Sequence, residues 1–323
     1  MVNSTRRDFL KILGLSLAVP QDILNVLRNP DINLEEKLSI LKLEYWLNKL
    51  NIAKKAPCIT YDAIPLLISI FNLGFIMNGN AGVYFESDDK RYNGSIVLSI
   101  NKILSFTEQF RIHSSEGHIS KDGLFIPDET VRVDYEDSRL SHVHIRYMGD
   151  KAVLTDGSFI FWYDKDQNKL RYTPDIIQNR PIDTGEAIRN IGHVGDLVSE
   201  FFNLKRYEEI FKKNKSVRLY TVSKRAENNE PSLFPIDVNL ESSVDNYSPI
   251  SDDQKKVPQD YAMSSDFSRL LGKADVLVKG YVDKDFIPSI GNLFNIFPEI
   301  TLRVTRKFNS ECKGLIKIVT TLK

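Results

Sequence analysis

The chain has 323 residues, 42% of them hydrophobic and 27% charged, with 43 Lys+Arg against 43 Asp+Glu. That length fills one large domain or two modest ones, and the even charge offers no basic surface for neutralising the phosphates of a nucleic acid. Two cysteines exclude a four-thiolate zinc site or iron–sulfur cluster built from this chain alone, and no C-x-x-C-H for covalent haem occurs.

The first element in chain order reads as a targeting signal. Thr5-Arg6-Arg7-Asp8-Phe9-Leu10-Lys11 resembles the twin-arginine export signal at every position of its pattern, Ser/Thr-Arg-Arg-x-Phe-Leu-Lys, with Arg6, Arg7, Phe9 and Leu10 as its defining residues. An apolar run from Ile12 to Val19 follows, and Ser16-Leu17-Ala18 places small residues where a signal peptidase reads them. The resemblance implies a signal over 1–18, passage of the folded chain through the Tat translocase, and an extracytoplasmic location: periplasm, cell envelope or medium. The competing reading is an amphipathic first helix capped by Ser4 or Thr5, with Phe9, Ile12 and Leu13 facing a core.

Residues 19–80 read as a helical segment. Asp22 to Arg28 makes a short helix, and Asn33 caps a longer one with Glu35 and Glu36 in its first turn. Leu34, Leu38, Leu41, Tyr45 and Leu43, Trp46, Leu47, Leu50 recur at helical spacing. A third helix is expected after Asp62, ended by Asn78-Gly79-Asn80-Ala81-Gly82. Ala63 to Met77 is too short and too interrupted, by Pro65, Asn72 and Gly74, to span a bilayer. The chain is therefore expected to be peripheral to a membrane at most.

From 81 to 323 the pattern is mainly that of antiparallel strands. His142-Val143-His144-Ile145-Arg146-Tyr147 alternates polar and apolar, Gly149-Asp150 turns, Lys151 to Thr155 returns, and Asp156-Gly157 is expected to turn again. Phe159-Ile160-Phe161-Trp162-Tyr163 is apolar on both faces and needs a cover on each. Asp164 to Asn168 turns into Lys169-Leu170-Arg171-Tyr172. A helical crossover is expected near 186–213, a strand over Val217 to Ser223, and a long surface excursion with some strand near 226–260. Asp275 to Val282, Ile300 to Phe308 and Leu315 to Leu322 complete the strands. The fold class is α+β: N-terminal helices packed on a curved, mainly antiparallel, half-barrel-like sheet.

Chemistry-bearing patterns are sparse. No phosphate-binding glycine loop and no G-x-S-x-G elbow occurs, and no cofactor is implied. His113 and His118 stand one residue off a zinc motif, in what reads as a loop. His142 and His144 lie two apart on a strand and so share a face, the way strand-borne metal pairs are presented. The alternative is a polar face where both imidazoles meet water beside Arg146. Cys58 and Cys312 either pair in a disulfide or stand as two buried thiols.

Asp156-Gly157-Ser158-Phe159-Ile160-Phe161-Trp162-Tyr163-Asp164, with Asn168 and Thr173-Pro174-Asp175 after it, resembles a hairpin of the LolA/RseB-like lipoprotein-carrier proteins. The likeness spans residues 131–175. The proline those proteins carry after the Asp/Asn is absent here. The resemblance implies a curved sheet wrapping helices, and an apolar concavity for acyl chains lined by Phe159, Ile160, Phe161 and Trp162. Three functions follow as expectations. The leading one is an exported binding protein holding a lipid, lipoprotein or other apolar ligand. The second is a cell-surface structural or interaction subunit, and the third an exported metal enzyme using His142 and His144. The lack of catalytic motifs points away from an enzyme.

Overall fold

The computed structural model describes residues 26–67, 71–72, 77–102, 107–136, 139–155, 158–175, 180–224, 230–241, 261–266, 277–282, 288–297, 300–309 and 312. The twin-arginine run with Arg6, Arg7, Phe9 and Leu10, and the strand expected over Leu315 to Leu322, lie outside the described residues. Within them are helices α1 (Leu34–Ser39) and α2 (Leu43–Lys49), then strands β1 (Ile59–Leu67), β2 (Phe71–Asn72), β3 (Met77–Ser87), β4 (Arg91–Lys102), β5 (Thr107–Ile119) and β6 (Phe125–Glu136). Next come β7 (Arg139–Met148), β8 (Lys151–Thr155), β9 (Ser158–Asp164), β10 (Lys169–Asp175) and β11 (Arg180–Asp183). Helices α3 (Gly185–Ile191) and α4 (Leu197–Asn203), a 3-10 turn (Leu204–Tyr207) and α5 (Glu208–Asn214) follow. The chain continues with β12 (Ser216–Lys224), β13 (Pro231–Glu241), β14 (Tyr261–Asp266), β15 (Leu277–Val282), β16 (Pro288–Phe297) and β17 (Ile300–Phe308).

All 17 strands belong to one sheet, and every pairing between them is antiparallel. β3 to β7 form one meander and β12 to β17 another. β1 joins them, pairing β3 along one edge and β17 along the other. The helix expected after Asp62 is therefore strand β1, and Gly79 to Gly82, expected as a turn, lies inside β3. The helical segment assigned to 19–80 gives way to strand from Ile59 onward. Pro65 is tolerated because pairing with β3 ends at Ala63 and pairing with β2 begins at Leu66, so its missing N–H falls in the gap.

The helix expected to run on from Asn33 is broken in two. Asn33 does cap it, accepting from the Glu36 amide at 2.9 Å. Ser39 then turns its hydroxyl back onto the Glu36 carbonyl, and Ile40 and Leu41 dive into the core.

The turn expected at Asp156-Gly157 lies outside the described residues, and the strands that flank it do not pair with each other as a hairpin. β8 pairs β7 through His144↔Thr155 and β9 pairs it through Leu140↔Phe161, so both run in the same direction along one edge of β7. β11 then lines β8, and β10 lines β9. The 226–260 excursion contains β13, whose Phe234, Ile236 and Val238 are buried at strict period two.

Cross-strand rows define two faces of the sheet. One carries Val97, Ile112, Val133 and His142 in register across β4 to β7. Ile40, Leu41, Trp46 and Ile52 share a buried cluster with the first three of these residues, and Trp46 stacks on His142. We call this the outer face. The opposite, inner face carries Ile96, His113, Arg132 and Val143 in the next row. Val143, Ile145, Ala152 and Leu154 of β7 and β8 pack there with Ala187 of α3 and with Tyr220 and Val222 of β12. The two ends of the sheet thus lie against each other with helices between them. Tyr207 and Phe211 are buried against β12 to β15.

Helix α4 lies close on β4. A Cβ added to Gly94 would sit 2.8 Å from Val198 Cγ1 and 3.1 Å from Phe202 Cε2. Gly94→Val suits a strand backbone, so its cost reads packing alone. We expect a loss of about 1–3 kcal/mol of unfolding free energy, measured by urea denaturation.

Candidate functional site

On the inner face a group of buried polar side chains converges on α4. Asp196 caps the helix: Oδ1 accepts from the Val198 and Ser199 amides at 2.8 Å each, and the Ser199 hydroxyl receives the Asp196 amide at 2.9 Å. Its other oxygen accepts from Ser115 and Thr130, each at 2.6 Å. Those two hydroxyls are direct cross-strand neighbours on β5 and β6, so the sheet presents a pair of donors to one carboxylate oxygen. Tyr92 meets Ser115 at 3.0 Å, and Thr130 lies 3.4 Å from the Tyr147 hydroxyl. Burial raises the Asp196 carboxyl above its ordinary pKa, against the hydrogen bonds that lower it.

One turn further, Glu200 accepts from His193 Nε2 and from the Tyr207 hydroxyl, both at 2.9 Å. His193 Nδ1 faces the Ile191 carbonyl at 3.2 Å, so both ring nitrogens face acceptors and the imidazolium is the form that satisfies them. Burial works to lower the His193 pKa, but the Glu200 hydrogen bond and charge more than offset it, and it is raised. Gly195 lies so close to Glu200 that a Cβ would collide with the carboxylate. Asn203 completes the stripe, accepting from the Phe125 amide at 2.8 Å and donating to its carbonyl at 3.0 Å. Positions 196, 200 and 203 fall on one helical face. These polar atoms are spent on one another and fasten α4 to the sheet.

Beside this cluster Asp134 is held by Arg111 and by Arg132, the latter at 3.1 Å, and Arg132 reaches Ser223 of β12 at 3.3 Å. Burial would raise Asp134, but the two guanidiniums hold it below its ordinary range. His113 lies in the same row, in strand β5 and not in a loop. His118, five positions on, projects to the opposite face and bonds Asp128 at 2.9 Å.

The residues expected to line an apolar concavity divide between the faces. Leu140↔Phe161 puts Phe161 on the outer face, where it is fully buried among Trp46, Phe110, Ile112, Val133 and Leu140. Arg139↔Trp162 puts Trp162, and Ile160 with it, on the inner face, and both are half-buried. For Phe159 only the backbone belongs to the described part of the structure.

His142 and His144 share the outer face but do not meet water there. His144 bonds Glu129 at 3.0 Å, and Glu129 is also paired with Arg146 at 3.0 Å. His142 is 1% exposed, its ring 5.4 Å from that of Trp46 and 20° from parallel. Among the described residues neither of its nitrogens has a hydrogen-bond partner. Among the described residues no three His, Cys, Asp or Glu side chains gather as a metal group. Cys58 and Cys312, the remaining pair, are joined in a disulfide with their Cα atoms 5.2 Å apart. Of the α4 network the residue pattern offers only His193, as a candidate third metal ligand for His142 and His144, and His193 bonds Glu200 instead; Asp196 three positions before Ser199 is a capping-box spacing that marks the helix start.

The fold and site define a mainly antiparallel β protein with a few helices, whose sheet carries a buried polar network around α4. No family model and no curated protein matches the chain. A similar solved structure is a beta-barrel-like protein, a domain of unknown function (DUF1849) from Brucella abortus. It is 10% identical, with 78% of this chain and 97% of that one covered and a TM-score of 0.40.

Proposed function

We propose that the chain is an exported binding protein of the cell envelope, holding a lipid or other apolar ligand against the inner face of a half-barrel-like sheet whose outer face the N-terminal helices close. The observation that carries this reading is the split of β9. Its outer residue Phe161 is sealed in the core, whereas Ile160 and Trp162 keep part of their apolar surface open on the inner side. An indole and a branched aliphatic left half-covered side by side favour an apolar guest. Two further features support the location. Thr5 to Lys11 resembles an export signal, and the Cys58–Cys312 disulfide suits an oxidising compartment. Among the described residues no helix is long and apolar enough to cross a membrane.

Trp46 and Trp162 are the chain's two tryptophans, so a Trp46→Phe variant reports on Trp162 alone. Titrating it with a fatty acid brominated along its chain is expected to quench the emission saturably, and Ile160→Glu to weaken that quenching at least tenfold. Emission indifferent to the probe, from a protein that forms a defined oligomer, would instead favour a surface subunit without a small-molecule ligand.

A further inference from the structure

The buried imidazole of His142 has no role in the network on the inner face, and its surroundings are unusual. It stands on β7 beneath α2, stacked on Trp46, which is fixed in turn by an Nε1–H bond to the Ile40 carbonyl at 2.7 Å. A neutral imidazole carries one N–H donor and one acceptor nitrogen, and neither finds a partner among the described residues. The groups that face the ring are of the wrong kind to receive a proton's charge. Lys49 comes from α2, and His144 from β7 itself. Val133 lies directly across on β6, and the Glu129 carboxylate of that strand is held by His144 and Arg146. β9 contributes Phe161 and Tyr163 to the same cluster.

We propose that α1 and α2 form an acid-released cap: protonation of His142 drives Trp46 and its segment off the outer face, baring the apolar surface of Val97, Ile112, Val133, Leu140 and Phe161. The cap lies on the outer face and needs no ligand on the inner one. With the cap closed, a charged ring would be stacked on an indole, without a counter-ion among the described residues and facing Lys49. With the cap open, the ring reaches water and takes its ordinary affinity for protons. Burial, with His144 and Lys49 adding to it, holds the closed-state pKa near 3 against an ordinary value of 6.5. The sign follows from proton counts. The open state binds more protons anywhere between those two values, so closure is fully favoured above pH 6.5 and weakens as pH falls towards 3. Between pH 7.5 and pH 5 the population of open cap is expected to rise about 30-fold.

Amide hydrogen exchange of the full chain, corrected for the intrinsic pH dependence of exchange, reads this directly. The wild-type protein should show about 30-fold faster exchange over 34–50 at pH 5 than at pH 7.5, with β5 and β6 unchanged. In His142→Phe, which keeps an aromatic ring against Trp46, the cap's exchange should be independent of pH. An unchanged pH slope in that variant would overturn the proposal, as would acid-enhanced exchange spread equally over β5 and β6. Should the variant fail to fold, ring NMR of the wild type decides: His142 still neutral at pH 5 supports the cap, and a ring titrating near 6.5 in the closed protein overturns it.

Discussion

Replacing Asp196 with alanine is expected to cost about 3–5 kcal/mol of stability, the largest loss for any single side chain on the inner face. Four donors converge on its carboxylate, two amides of α4 and the hydroxyls of Ser115 and Thr130. Alanine leaves all four without that acceptor at a site that is 4% exposed. Asparagine keeps the shape but turns an NH2 group towards two of those donors, so about 1–3 kcal/mol is expected for it. Asp237, exposed in its ion pair with Arg218, supplies the contrast. Its removal should stay within about 1 kcal/mol, because water screens that pair. Urea denaturation of the three variants checks the order, and an Asp196→Ala protein as stable as Asp237→Ala would show that α4 is not anchored through its cap.

The second large effect belongs to the disulfide. Cys58 and Cys312 are 254 residues apart in sequence, and their bond closes most of the chain into a loop. In the chain-entropy account a loop of that size contributes about 5 kcal/mol, almost all of it by restricting the unfolded state. The folded contacts around it stand without the bond: the Cys58 amide bonds the Val83 carbonyl at 2.7 Å, and the Asn309 amide bonds the Cys58 carbonyl at 2.9 Å. The Cys58→Ser,Cys312→Ser protein is therefore expected to fold to the same structure and to lose about 2–5 kcal/mol. Adding a thiol reductant to the wild type should lower its stability by the same amount, and should leave the double variant unchanged. A wild type indifferent to reductant would contradict this.

The sheet was legible where side chains alternate. His142 to Tyr147 reads as a strand because its period is two, and β7 is where that pattern stands. β13 carries the same period in Phe234, Ile236 and Val238, yet Pro231, Pro235 and the polar neighbours disguised it as an excursion. β1 misled for the opposite reason. Ala63 to Leu67 is a short run of apolar residues without period, a pattern that buried strands and buried helices share. The β8–β9 junction could not be read at all, since Asp156-Gly157 is turn chemistry whether or not the chain reverses.

The candidate site was less legible than the fold. A two-sided apolar strand announces that both faces are covered, but not that Phe161 meets the chain's own Trp46 while Trp162 stays half-open. The α4 network combines residues of β4, β5, β6, β7 and three helical turns, and only its capping spacing is local in sequence. His142 shows the limit of pattern most plainly. Its alternation with Val143 and Ile145 marks a wet face, and the water is excluded by a segment a hundred residues earlier.

The central claim, an exported carrier of an apolar ligand, is tested most directly by native mass spectrometry of the protein taken from its own extracytoplasmic fraction. The account predicts a chain beginning at Val19, a disulfide between Cys58 and Cys312, and a co-purifying acyl-chain mass removed by Trp162→Ala. A chain starting at Met1, recovered only from the cytoplasm with both thiols free and no bound lipid, would contradict it.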